Sequence, residues 1–246
     1  MSVMYEHQAP ATDGTSNGVR TSIFLQPIAA PSVLGYFAGA SGFLLFGVWI
    51  AGGIASTRTN AIALFPFILL FSGFGQLAAA MWSYKARDAV AASIHGVWGG
   101  FWIAYGLMWL MDALGTIKLP VFGHGFEALG QWFIYMAVIT WTTAFAALAR
   151  SPGQFVSQSV AAAAATIACA ALIAGSAGWL HAAGWVFVAA AALFLYHATA
   201  LMLNAIFGRV VLPHFNRRRE ENRLGATPFA PIEFEAEGEP GVKVGQ

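Results

Sequence analysis

Residues 89–111 read AVAASIHGVWGGFWIAYGLMWLM, without an Asp, Glu, Lys or Arg. At about 1.5 Å per residue, such a run crosses a hydrocarbon core of about 30 Å as a helix. Gly96 and Gly100 stand four apart and give a smooth face on which another helix can approach. Trp98, Trp102, Tyr105 and Trp109 step by four, three and four and form a separate aromatic stripe, with His95 beside it. The stripe is either packing and lipid-facing bulk or a constriction whose indole N–H is a donor. His95 is likewise either a packing histidine or a pathway residue.

Outward from this run the pattern repeats. Five more apolar stretches cover about 32–54, 61–83, 128–149, 157–180 and 183–207. None alternates as a barrel strand does, so each span must satisfy its backbone internally as a helix. The expected fold is therefore all-α, with six transmembrane helices forming a bundle. Composition agrees: 58% of residues are hydrophobic and 9% charged, against about 25% charged in a soluble domain. A net charge of +1 gives no field for nucleic acid. The single cysteine, Cys169, lies in an Ala-rich run and reads as a small buried residue. No Cys spacing suggests a metal, and no cofactor is expected.

Residues 1–31 are polar and rich in Pro, Ser, Thr and Gly, and read as a mobile tail. Within it, Ile23, Phe24, Leu25 and Ile28 are candidates for contact with the membrane surface. The membrane domain is expected over 32–213. A second tail, 214–246, begins basic at Arg217–Arg219 and turns acidic from Glu233. With six spans both tails share one side. Of the 12 Lys and Arg, only Arg58 and Lys118 fall on the other side. That excess places both termini in the cytoplasm of an inner, or plasma, membrane. No internal repeat is visible, so an inverted-repeat transporter is not indicated.

No acidic or basic residue lies inside a span; Asp88, Asp112 and Glu127 stand at helix ends. A multi-charge pump would need titrating groups at depth, and only His95 and His197 qualify. A weakly polar path for a neutral or singly charged solute fits better. Ser72, Gln76 and Ser83 share a face of the second helix, and Pro66 is placed to bend it. Tyr196, His197, Thr199 and Asn204 gather on the sixth. Gln76, His197 and Asn204 each serve either as interhelical hydrogen-bonding groups or as solute contacts. Gly35, Gly39, Ala38 and Gly42 form small-residue steps in the first helix, and Ala161–Ala165 make the fifth helix thin.

These residues resemble the acetate/succinate transporter family of the YaaH or SatP type over about 30–213. The end of the domain, Phe207-Gly208-Arg209-Val210-Val211-Leu212-Pro213, looks like the family's Phe-Gly-Arg-x-x-Leu-Pro ending. At the start, Pro31, Leu34 and Gly35 match the signature Asn-Pro-Ala-Pro-Leu-Gly-Leu, whose Asn and second Pro are missing here. The family narrows its path with a Phe, a Tyr and a Leu. Those positions fall on Gly39, Trp98 and Ala161 or Ala162, which marks a divergent member. The resemblance implies a pathway within each subunit and a homo-oligomeric ring of six. It also implies uptake of small monocarboxylates such as acetate, with succinate and proton symport as family traits.

Three readings follow. The leading one is a bilayer-embedded channel or transporter for a small carboxylate, not an enzyme. Its solute path is expected to use Gly39, Gln76, His95, Trp98, Tyr196, His197 and Asn204, with Trp98 as the gate and Gly39 facing it. The second is a channel for urea, a short amide or ammonia. The third is a non-transporting membrane subunit of a redox or signalling complex.

Overall fold

The computed structural model describes residues 29–52, 58–120, 126–149 and 151–215. The expectations for residues 1–28 and 216–246, and for the charges at Arg20 and Arg150, lie outside the described residues. Among those described, the chain forms six helices: α1 (Ser32–Ile50), α2 (Arg58–Lys85), α3 (Ala89–Ala113), α4 (Glu127–Leu148), α5 (Pro152–Ile173) and α6 (Ala177–Phe207).

Five are long and apolar enough to cross a membrane. The sixth, α3, has 25 residues and therefore the length, but its Trp, Tyr, His and Gly residues lower its hydropathy. Those residues are largely turned inward: His95, Trp98, Trp102, Tyr105 and Trp109 are all buried. Elsewhere large apolar side chains face outward. Phe67, Leu70, Val138 and Phe145 expose 60–64% of their surface, the arrangement lipid requires.

Each helix packs on its neighbours in sequence, and α6 returns to α1 and closes the ring. Pro31 sits at the start of α1, where a missing N–H costs nothing. Ser151 and Ser176 cap α5 and α6 by accepting from the N–H groups of Gln154 and Trp179. The last two spans correct the sequence boundaries. The break falls at Gly175-Ser176 and not near residue 181. Gly175 takes a φ of +64°, which only glycine adopts freely, and Ser176 starts the next helix. The apolar run across the break concealed it.

Pro66 lies inside α2, and a π-helical turn follows at Ile68–Phe74. Such wide turns accommodate one extra residue in a helix. The close approach of α3 to α2 is made by Gly99, where a Cβ would meet the Leu77 nitrogen at 2.8 Å, and by Gly106 against Leu69. Within the chain the expected pair meets less. Gly96 has only Ala80 at 3.6 Å, and Gly100 has open space.

Both ends of the described chain meet at one end of the bundle, here the near end. The Ser151 hydroxyl donates to the His214 carbonyl at 3.2 Å, and Gln154 Nε2 donates to the Tyr36 hydroxyl. At the far end Arg58 pairs with Asp112, whose Oδ1 also accepts the Leu119 N–H at 2.8 Å. This carboxylate is buried, and it ties two helix ends together.

Candidate functional site along the bundle axis

The interior of the ring is filled with rings. Phe43 meets Trp98 edge to face at 4.6 Å and Phe194 at 5.0 Å, and stacks with Phe187 at 5.6 Å. Phe46 packs on Tyr105 at 5.2 Å and Phe133 at 6.0 Å. Trp49 meets Trp109 at 5.0 Å. Each such pair contributes about 0.5–1.5 kcal/mol beyond its area. In lipid, where apolar surface gains nothing from leaving the solvent, packing of this kind holds helices together. Two small apolar cavities remain in the far half, each of about 10 Å³, bounded by Phe46, Trp49 and Tyr105. Each is about the size of one water molecule.

The near half differs. Tyr36 on α1 stands 5.2 Å from the ring of His95 and 5.6 Å from that of His197. His95 Nδ1 lies 3.5 Å from Gln76 Nε2. Gln158, one turn beyond Gln154 on α5, approaches the Tyr36 hydroxyl. All of these side chains are buried except Gln154, which is half-buried. Five polar atoms among them have no hydrogen-bond partner: Gln76 Oε1, His95 Nε2, His197 Nε2, and Oε1 and Nε2 of Gln158. Leaving such a group unpaired costs about 1–3 kcal/mol, so a cluster of them marks a place built to meet something polar.

Glycines make the cluster possible. A Cβ on Gly35 would strike the His95 imidazole, and one on Gly39 would stand 2.7 Å from Gln76 Nε2 and 3.1 Å from Phe194. The Gly39 expectation is thereby corrected in one respect: Gly39 faces Gln76 and Phe194, and Phe43 faces Trp98. Trp98 lies at the boundary between the two halves, fully buried. Its indole N–H donates to Thr140 Oγ1 at 3.1 Å, and that hydroxyl donates to the Met136 carbonyl. The N–H is therefore committed to α4, and Trp98 presents its ring to the axis.

The structure brings Gly39, Gln76, His95 and His197 together and sets Tyr196 and Asn204 apart. Tyr196 donates to the Pro213 carbonyl at 2.8 Å. Asn204 donates to the Leu212 carbonyl and accepts the N–H groups of Val211 and Leu212. Both fold the chain after α6 back onto the helix. Gly208 turns it there with a φ of +60°. The ending that runs from Phe207 through Arg209 to Pro213 is thus a turn and a strap. Phe207 itself is exposed, as is Leu34, while Gly35 accommodates His95.

Sequence reasoning passed over Tyr36, Gln154 and Gln158. The signal was there: Gln154 and Gln158 are four apart, and a buried Gln in a membrane helix is as costly at 158 as at 76. Gln154 lay just outside the fifth span as expected from 157 and Gln158 just inside it, and neither was singled out.

Six helices ringed around an aromatic-filled axis, with apolar side chains facing outward and buried polar groups at one end, define an all-α integral membrane protein. The profile of the GPR1/FUN34/yaaH family matches residues 13–216, and the chain belongs to that family. Among solved structures the chain is similar to the bacterial acetate channel SatP, with a TM-score of 0.69 and 24% identity. The match covers 76% of this chain and 99% of the solved one and shows a shared fold. No curated protein sequence matches.

Proposed function

We propose that this protein is a membrane channel or transporter for small monocarboxylates such as acetate, not an enzyme. The observation that carries the reading is the near-half cluster of Tyr36, Gln76, His95, Gln158 and His197. It offers neutral donors and acceptors and no fixed charge, and it opens onto an axis closed by apolar rings. A pathway of this kind admits a small acid in its neutral form, or holds its anion briefly, without trapping it. Family membership and the fold shared with an acetate channel support the same solute class. The aromatic fill describes a closed path, so conduction requires the Phe43, Trp98 and Phe194 rings to move.

The finer elements belong to the same proposal. The protein works as a homo-oligomeric ring, six subunits by family resemblance, in the plasma membrane. Both termini lie in the cytoplasm, and succinate and proton linkage are family traits to be tested. Uptake of labelled acetate into liposomes holding the pure protein is the direct test, measured against protein-free liposomes. Uptake well above that background, saturable and competed by other short acids, is expected. Background-level acetate flux beside rapid urea or ammonia flux would overturn the carboxylate assignment.

A further inference from the structure

The Gln158 side chain is fully buried on α5, and both its Oε1 and its Nε2 lack a partner. It approaches the Tyr36 hydroxyl, which already receives the Gln154 amide. An orphaned donor or an orphaned acceptor alone is common enough to be filled by one water. A carboxamide in which neither end makes a well-formed hydrogen bond is more particular, because its two groups lie side by side in one plane, and its NH2 keeps a second N–H to offer even beside the Tyr36 hydroxyl.

We infer that Gln158 is the selectivity residue of the pathway. It recognises a planar group that carries one donor and one acceptor on the same carbon, namely a protonated carboxylic acid or a primary amide. Either group closes an eight-membered ring with the Gln158 amide. Nε2–H donates to the solute carbonyl, and the solute O–H or N–H donates to Oε1. A carboxylate cannot do this. It presents two acceptors, one of which would face the Gln158 oxygen, and a mismatched buried polar pair is rejected strongly. No fixed cation among the neighbouring Tyr36, Gln154 and His197 side chains offsets that mismatch unless a histidine is protonated. The inference rests on the carboxylate reading above and narrows it: the species that passes is the neutral acid.

The experiment uses full-length protein in liposomes, with labelled acetate and labelled acetamide offered separately at pH 5 and pH 7. Thermal melting in detergent with each solute supplies a readout independent of flux. Wild-type acetate flux should fall by about a hundredfold between the two pH values at fixed total acetate. The neutral fraction of an acid with a pKa near 4–5 drops about tenfold per pH unit. Acetamide flux should not change. Gln158→Met keeps the volume and removes the pair, so both fluxes should fall by about tenfold or more and both solute-induced melting shifts should vanish. Gln158→Asn, which retains the amide, should recover part of each.

Unchanged fluxes and melting shifts in a well-folded Gln158→Met protein would overturn the inference and leave the amide as a water site only. Loss of acetate flux with acetamide intact would also overturn it, since that pattern means anion recognition. Wild-type protein that carries acetamide but not acetate defeats the carboxylate function. In that case loss of acetamide flux in Gln158→Met still supports the pairing.

Discussion

The two halves of the bundle are built from the same helices and solve opposite problems. In the far half, Phe46, Trp49, Tyr105, Trp109 and Phe133 fill the axis with rings around two small apolar voids, and the unpaired polar atoms, Trp102 Nε1 and Asp112 Oδ2, are scattered and not clustered. In the near half, Tyr36, Gln76, His95, Gln158 and His197 leave polar atoms unpaired, and glycines at 35 and 39 make room for the His95 ring and the Gln76 amide. Apolar packing gains from being complete, because a void forfeits contacts on one side. A polar site gains from being incomplete until its ligand arrives, because a fully satisfied network has nothing left to offer. The difference teaches where to look for each role: closure in the half that is full, recognition in the half that is unsatisfied. Trp98 lies between them and belongs to both.

The comparison is broken most forcefully at that boundary. Trp98→Ala removes a ring packed against Phe43, Phe101 and Trp102 and takes away the indole N–H that donates to Thr140 Oγ1. The expected cost is about 3–5 kcal/mol of stability, seen as a lower melting temperature in detergent. The protein that remains folded should leak and accept larger acids. A folded, correctly assembled Trp98→Ala protein with unchanged uptake and unchanged size preference would remove Trp98 from the path altogether.

A pair of milder changes sharpens the contrast. Phe46→Leu thins the far-half fill and should cost about 1–3 kcal/mol, while raising flux for all solutes in equal proportion. Gln76→Leu removes a buried amide whose oxygen has no partner, so stability should move by less than about 1 kcal/mol. Acetate flux should nevertheless fall by about tenfold. Melting curves and liposome uptake on the two variants together make the check. If Gln76→Leu behaves as Phe46→Leu does, losing stability and keeping selectivity, the two halves are one packed core and the division is wrong.

Much of this was legible before the structure, for reasons that differ by residue. The spans were legible because lipid forces about 20 apolar residues per crossing and excludes charge. The stripe of α3 was legible because four aromatic residues at helical spacing share a face, but whether it faced lipid or protein was not. What the sequence concealed was partnership. Trp98 and Asn204 look alike in sequence, each a polar atom within an apolar run. Only three dimensions show that one donates to Thr140 and that the other binds the backbone of residues 211–212. Gly39 was placed opposite Trp98 by alignment with larger residues, and the register between α1 and α3 sets Phe43 there instead. The α5–α6 break was hidden because Gly175-Ser176 sits inside an apolar run long enough to pass for span.

The smallest expected effect tests whether the strap after α6 stands apart from both halves. Asn204 makes three hydrogen bonds, at 2.7–3.1 Å, to the backbone of Val211 and Leu212, and it is only partly buried. Water can replace much of what Asn204→Ala removes, so the expected loss is about 1 kcal/mol. That loss should be local. The amide protons of Val211 and Leu212 should exchange faster with solvent, while those deep in α6 near Phe187 keep their protection. Tyr196 still holds Pro213, and Ser151 still holds His214, so the strap should loosen at one end without detaching. Acetate uptake and its competition by other acids should match wild type. The strap does touch the near half at one place, where the His214 ring meets His197 edge to face at 5.2 Å. That contact is the route by which the expectation can fail. If Asn204→Ala changes solute preference as well as local exchange, the strap positions His197, and the near-half site extends through His214 to the bundle's end.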